Sequence, residues 1–119
     1  MPRFGTRSKS RLHTCDERLQ KLFKKVVKSF DCTVLEGHRG KEKQNAAYAK
    51  GNSKLKYPNG KHNKVPSIAV DVIPYPIDWN DRDRMHYFAG FVLGIAKKRG
   101  LKIRWGGDWD MDTHTKDNK

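Results

Sequence analysis

The stretch from Lys61 to Pro76 reads KHNKVPSIAVDVIPYP. Its apolar run, Ile68 to Ile73, predicts a strand, and Pro74, Tyr75 and Pro76 cannot continue a central ladder, so the chain must turn there. His62 stands in a polar turn, and Asp71 follows nine residues later inside the apolar run. Both side chains can meet one metal ion. Imidazole and carboxylate are suitable zinc ligands, and a catalytic site needs about three protein ligands plus an open position. A satisfied polar pair accounts for the same two residues. An unpaired carboxylate would be costly to bury in such a strand, so a cation or strong donor is expected beside Asp71.

Upstream, Leu19, Leu22, Phe23, Val26, Val27 and Phe30 recur at helical spacing, with Lys21, Lys24, Lys25 and Lys28 on the opposite face. Thr14 with Glu17 three positions later predicts the start of that helix. Residues 1–11 read as a flexible basic arm that Phe4 can pin to the core. After a turn at Asp31, Cys32 to Leu35 read as a strand that delivers Arg39 to a loop mouth. Gly40 to Lys50 form a short helix with Ala46, Ala47 and Tyr48 facing inward and Gly51 as its stop. The polar segment Asn52 to Asn63 is a long surface loop, a kind that usually carries function or disorder.

Downstream, Asn80 and Asp83 cap a third helix, whose stripe is Met85, Phe88, Phe91, Val92 and Ile95 and whose end is Gly100. Leu101 to Trp105 read as a last strand, and the tail from Gly106 is acidic in its middle. The expected fold is α+β: a small antiparallel sheet packed with two main helices and one short helix, all in one domain over residues 12–119.

The 119 residues carry 26 Lys and Arg against 13 acids, a net charge of +13. That excess predicts an anionic partner, nucleic acid or a bacterial wall, without choosing between them. Cys15 and Cys32 show no CxxC spacing and read as buried free thiols. The basic start lacks the apolar stretch of a signal peptide, and no run is long enough to span a membrane. Synthesis in the cytoplasm is therefore expected, with release by another agent if the protein acts outside.

EGHRGKEKQ (Glu36 to Gln44), GNSKLKYPNGKHN (Gly51 to Asn63), PSIAVDVIPYPIDWND (Pro66 to Asp81) and LKIRWGGDWD (Leu101 to Asp110) follow one another along the chain. Their order and separations resemble the zinc peptidases related to D-alanyl-D-alanine carboxypeptidases, in particular the L-alanyl-D-glutamate endopeptidases used as endolysins by tailed phages. The resemblance implies that His62 and Asp71 bind zinc and that Arg39 contacts the substrate or the developing oxyanion, a task suited to a fixed fork of charged donors. The alternative for Arg39 is an ion pair with Glu36 or Glu42. Gln44 then supports the arginine loop. Trp105 and Trp109 wall a substrate groove, with core packing open for Trp105, and Asp108 orients a ligand.

Two departures from the family pattern stand out. Gly60 occupies a position, two before the first histidine, where the family commonly has a serine that binds substrate. The family also carries an acid as general base and a histidine as third zinc ligand shortly after the GDWD-like element, and the chain as given stops at Lys119 without that segment. His114 is the available substitute ligand, with Asp110, Asp112 or Asp117 as base. The expectation is a truncated or incomplete chain, or one that has lost catalysis, with weak zinc binding. The resemblance implies a zinc metallopeptidase that hydrolyses the stem peptide of peptidoglycan between L-alanine and D-glutamate; the basic surface is expected to hold it on anionic wall polymers, and small size with high charge points to a monomer. The rivals are a non-catalytic wall-binding module and a nucleic-acid binder; the latter lacks interleaved aromatic and basic residues.

Overall fold

The computed structural model describes residues 2–105, and the chain divides into two compact units, Met1–Asp78 and Trp79–Lys119. The first unit is built on a two-stranded antiparallel sheet of β1 (Cys32–Glu36) and β2 (Asp71–Pro74). Cys32 pairs with Pro74, Thr33 with Ile73 and Val34 with Val72, after which the register slips so that Glu36 stands opposite Asp71. Leu35 is thus an extra residue, and the bulge sets two acidic side chains side by side at the end of the sheet where the chain leaves β1 and enters β2.

The second strand begins later than the apolar run suggests. Ser67, fully buried, donates from Oγ to the Ala69 carbonyl at 2.6 Å and accepts from the Ala69 amide at 3.2 Å. That local turn keeps Ile68 to Val70 out of the ladder. Asp71 is consequently the first residue of β2, with half of its side-chain surface exposed, rather than a carboxylate buried in mid-strand.

Three helices belong to the same unit. Residues 6–11, expected to belong to a flexible basic arm, instead lie in α1 (Thr6–His13), which packs on β1 and on α2 (Glu17–Ser29). Its polar composition hid it. Phe4 and Leu12 are buried all the same, and the Ser8 hydroxyl accepts from the Val34 amide at 3.1 Å. Burial on one narrow face, with a backbone group satisfied, outweighs weak periodicity.

The α2 stripe is as expected, with Leu22, Phe23, Val26 and Val27 buried. Its cap is Asp16, whose carboxylate accepts from the Arg18 amide at 2.9 Å, rather than Thr14. Thr14 instead donates to the Arg11 carbonyl at 2.7 Å, closing α1, and accepts from the His38 amide at 2.8 Å. In α3 (Lys41–Ala49) the inward residue is Gln44, 1% exposed, whereas Ala46 and Tyr48 face solvent. A glutamine can take the core position because every polar atom of its amide finds a partner.

Cys15 and Cys32 are free and buried. Burial pushes both thiols up, that of Cys32 to about 12, so neither is a thiolate at neutral pH. A cysteine nucleophile is therefore not available here.

The second unit contains α4 (Arg82–Lys98), capped by Asp81, which accepts from the Arg84 amide at 3.1 Å. Phe88, Ala89, Val92 and Ala96 are buried at helical spacing, and Gly100 ends the helix with φ +74°. Leu101 to Trp105, expected as a strand, are irregular, with no ladder partner among the described residues. Trp105 packs edge-on against His86, with ring centroids 5.3 Å apart.

Candidate active site

Four residues singled out in the sequence meet at the end of the sheet where β1 finishes and β2 begins: Arg39, Gln44, His62 and Asp71. The loop after β1 carries Arg39, and a one-turn 3-10 helix, Lys61–Asn63, carries His62. Their backbones are joined, since the Arg39 amide donates to the His62 carbonyl at 2.8 Å.

Nδ1 of His62 lies 2.6 Å from the Gly37 carbonyl oxygen. A carbonyl can only accept, so Nδ1 carries a proton, and Nε2 is the ring atom open to a second proton or a metal cation. Nε2 faces Asp71, 3.5 Å from Oδ1. Burial pulls the imidazole pKa down, but the Asp71 hydrogen bond, the Gly37 carbonyl and the Asp71 charge outweigh burial and the opposing Arg39 charge, raising it from its ordinary value.

Arg39 bridges the two acids that the bulge aligns. Its Nε donates to Glu36 Oε1 at 2.8 Å, Nη2 lies 2.7 Å from the same oxygen, and Nη2 lies 3.6 Å from Asp71 Oδ2. The ion pair with Glu36 is thus present, and the guanidinium reaches the candidate ligand as well. Two carboxylates share one guanidinium, an imbalance that a cation at His62 Nε2, a proton or a metal ion, would neutralise.

Gln44 is the hub beneath. Its Oε1 accepts from Arg39 Nη1 at 3.0 Å and from Asn63 Nδ2 at 3.2 Å, while Nε2 donates to Ser53 Oγ at 2.9 Å and to the Leu55 carbonyl at 2.5 Å. All four bonding positions of the amide are used. One side chain therefore ties the arginine, the histidine turn and the long loop together. We expect Gln44→Ala to cost about 3 kcal/mol, since it strands several buried polar groups. Urea unfolding at unchanged slope reads this directly, and a loss below about 1 kcal/mol would contradict the hub.

Gly60 is explained by the same network. A Cβ there would stand 2.7 Å from Asn63 Oδ1 and 3.0 Å from Gln44 Oε1. Asn63 uses that space, accepting from the Gly60 amide at 2.8 Å and donating to the Arg39 carbonyl at 2.8 Å. The position at which a serine would offer a hydroxyl has become a backbone contact.

The donor atoms suit zinc. Two ligands about 2.0–2.1 Å from a tetrahedral ion lie about 3.4 Å apart, close to the 3.5 Å between His62 Nε2 and Asp71 Oδ1. A carbonyl holding the far nitrogen of the imidazole is the usual outer support of a metal-bound histidine. Among the described residues no group of three or more His, Cys, Asp and Glu is placed to hold a metal. Asp108 and His114, expected to orient and to complete the site, lie outside the described residues, as does Trp109. Trp105 is described in the second unit, against His86.

Gly37, Asn63 and Ser67 are supports that the sequence does not single out, and Thr14, expected only as a helix cap, is a fourth. Each acts through a hydrogen bond to a distant part of the chain, as between His62 and Gly37, 25 residues apart. The only available signal was the run of small and polar residues flanking each apolar segment.

The family model described as phage L-alanyl-D-glutamate peptidase matches residues 1–119. Among solved structures, the chain is similar to the L-Ala D-Glu endopeptidase ChiX of Serratia marcescens, with 24% identity and a TM-score of 0.76, over 95% of this chain and 85% of that one. At that identity the likeness establishes the fold. The search of curated proteins found no match.

Proposed function

Because the chain belongs to the phage L-alanyl-D-glutamate peptidase family, and is thereby a peptidoglycan-hydrolysing endopeptidase, we infer that its centre is a zinc site built on His62 and Asp71. The observation that carries this reading is the placing of Nε2, the ring nitrogen not engaged by the Gly37 carbonyl, 3.5 Å from a carboxylate oxygen, so that one cation could be held by both. Zinc, when bound, supplies a Lewis acid for the peptide carbonyl and lowers the pKa of water.

The protein's own groups prepare that chemistry. Gly37 sets the imidazole tautomer, so the nitrogen facing Asp71 stays a donor of electrons. Glu36 and Gln44 immobilise the Arg39 guanidinium, 13% exposed, with its Nη2 toward Asp71. Arg39 there steadies the carboxylate and offers its remaining N–H groups to a substrate carbonyl or carboxylate, a preorganised charge that needs no rearrangement. Trp105 as a groove wall, and Asp108 and His114 as supporting groups, stay proposals from the sequence. The substrate bond is L-alanyl-D-glutamate, the +13 charge favours retention on anionic wall polymers, and a small, highly charged chain is read as a monomer made in the host cytoplasm. No described helix is long and apolar enough to cross a membrane.

Incubation with purified peptidoglycan tests the reading. Hydrolysis should expose new D-glutamate amino termini and new L-alanine carboxyl termini. A strong chelator should abolish this, and added zinc should restore it. Cleavage unaffected by complete metal removal would overturn the zinc assignment, and absence of new termini with zinc supplied would overturn activity of this chain.

A further inference from the structure

A groove of about 710 Å³ runs between α1 and α2, and none of its lining residues belongs to the site described above. Phe4 and Val27 line it together with Arg3, Lys9, Lys24 and Lys28, and no acidic residue does. None of these four cations is in an ion pair among the described residues. Elsewhere on α2, Lys21 pairs with Glu17 at 3.3 Å and Arg18 with Asp16 at 3.0 Å, whereas Lys25, outside the groove, has no ion pair among the described residues either.

Lys24 and Lys28 stand one turn apart on the same helix face. Like charges at that spacing repel and slightly destabilise a helix, so an anion between them would relieve an existing cost. Long lysine stems also cover apolar surface while their ammonium groups reach outward. The groove therefore offers an apolar floor with a cationic rim. A soluble polyanion would use only the rim, whereas an amphiphile with an anionic head and a hydrocarbon chain would use both.

We propose that the α1–α2 groove is a binding site for an anionic phospholipid, its acyl chain against Phe4 and Val27 and its phosphate against Lys24, Lys28, Lys9 and Arg3. The contact is peripheral and independent of the hydrolytic site.

Calorimetry with monomeric dihexanoyl phosphatidylglycerol tests this on the full chain. Saturable binding is expected, with the deacylated headgroup, glycerophosphoglycerol, and dihexanoyl phosphatidylcholine each binding at least about tenfold more weakly. The pair Lys24→Glu and Lys28→Glu should weaken binding about 25-fold or more, taking roughly a fivefold effect for each cation at a lipid surface. The pair Lys97→Glu and Lys98→Glu, in the last turn of α4, makes the same charge change elsewhere and should alter affinity less than about threefold. Equal losses in both pairs would reduce the effect to net charge and overturn the groove. Headgroup binding as tight as lipid binding, or tighter binding of a glycerol phosphate oligomer, would overturn the lipid. Circular dichroism of each variant confirms that the helices remain.

Discussion

His62→Ala should lower peptidoglycan cleavage by at least about 10³-fold and reduce bound zinc from near one equivalent to near none. The substitution removes the Nε2 donor that faces Asp71 and the Nδ1 proton held by the Gly37 carbonyl. A carboxylate alone would then face a metal that needs about three protein ligands. Some stability is lost as well, because a part-buried carbonyl loses its donor at a cost of about 1–3 kcal/mol. Zinc stoichiometry separates the two effects. If folded His62→Ala protein retains a full equivalent of zinc and cuts normally, the metal lies elsewhere and the assignment fails. Equal, negligible zinc in both proteins would sink it too.

Gly37→Ala should be nearly as damaging although it removes no functional group. A Cβ at this position would overlap the Arg11 carbonyl oxygen and the Thr14 hydroxyl and stand 2.9 Å from Cys15 Sγ. The first of these is backbone at the end of α1, held by that helix, so the glycine must move instead. Its carbonyl orients His62, and two residues later the chain delivers Arg39. We expect about 3 kcal/mol of destabilisation, at the upper end for one inserted methyl, and at least about a hundredfold loss of cleavage. Denaturant midpoints and cleavage rates measured on the same preparation decide it. A variant within about 0.5 kcal/mol and threefold of the parent would show that the loop accommodates a side chain.

The sequence disclosed the parts of this protein that announce themselves locally. The α2 stripe was legible because burial of Leu22, Phe23, Val26 and Val27 imposes a period on the chain itself. Arg39, Gln44, His62 and Asp71 are legible through the resemblance of their blocks to a known family, and in the structure the four converge. The buried thiols were read correctly as well. α1 was not legible, since its burial rests on a few residues among many cations. The inward turn of Gln44 was missed because an apolar preference for helix faces gave way to a fully bonded amide whose partners at Ser53 and Leu55 lie in the following loop. Leu101 to Trp105 had strand composition without a ladder partner among the described residues, and composition alone does not make a strand.

The bulge at Leu35 bears on what could ever be transplanted from this fold. Three residues of β1, 34 to 36, run opposite two of β2, 71 and 72. Copying residues 34 to 39 and 71 to 74 onto an unbulged ladder would preserve every identity and still fail, because Leu35 would take the place opposite Asp71 and Glu36 would fall on the other face. A recipient that keeps Leu35 must be one residue longer on a single strand. Deleting Leu35 would instead restore an unbroken ladder with Glu36 still opposite Asp71, so it would remove the local bend and twist while leaving the pairing of the two acids in place.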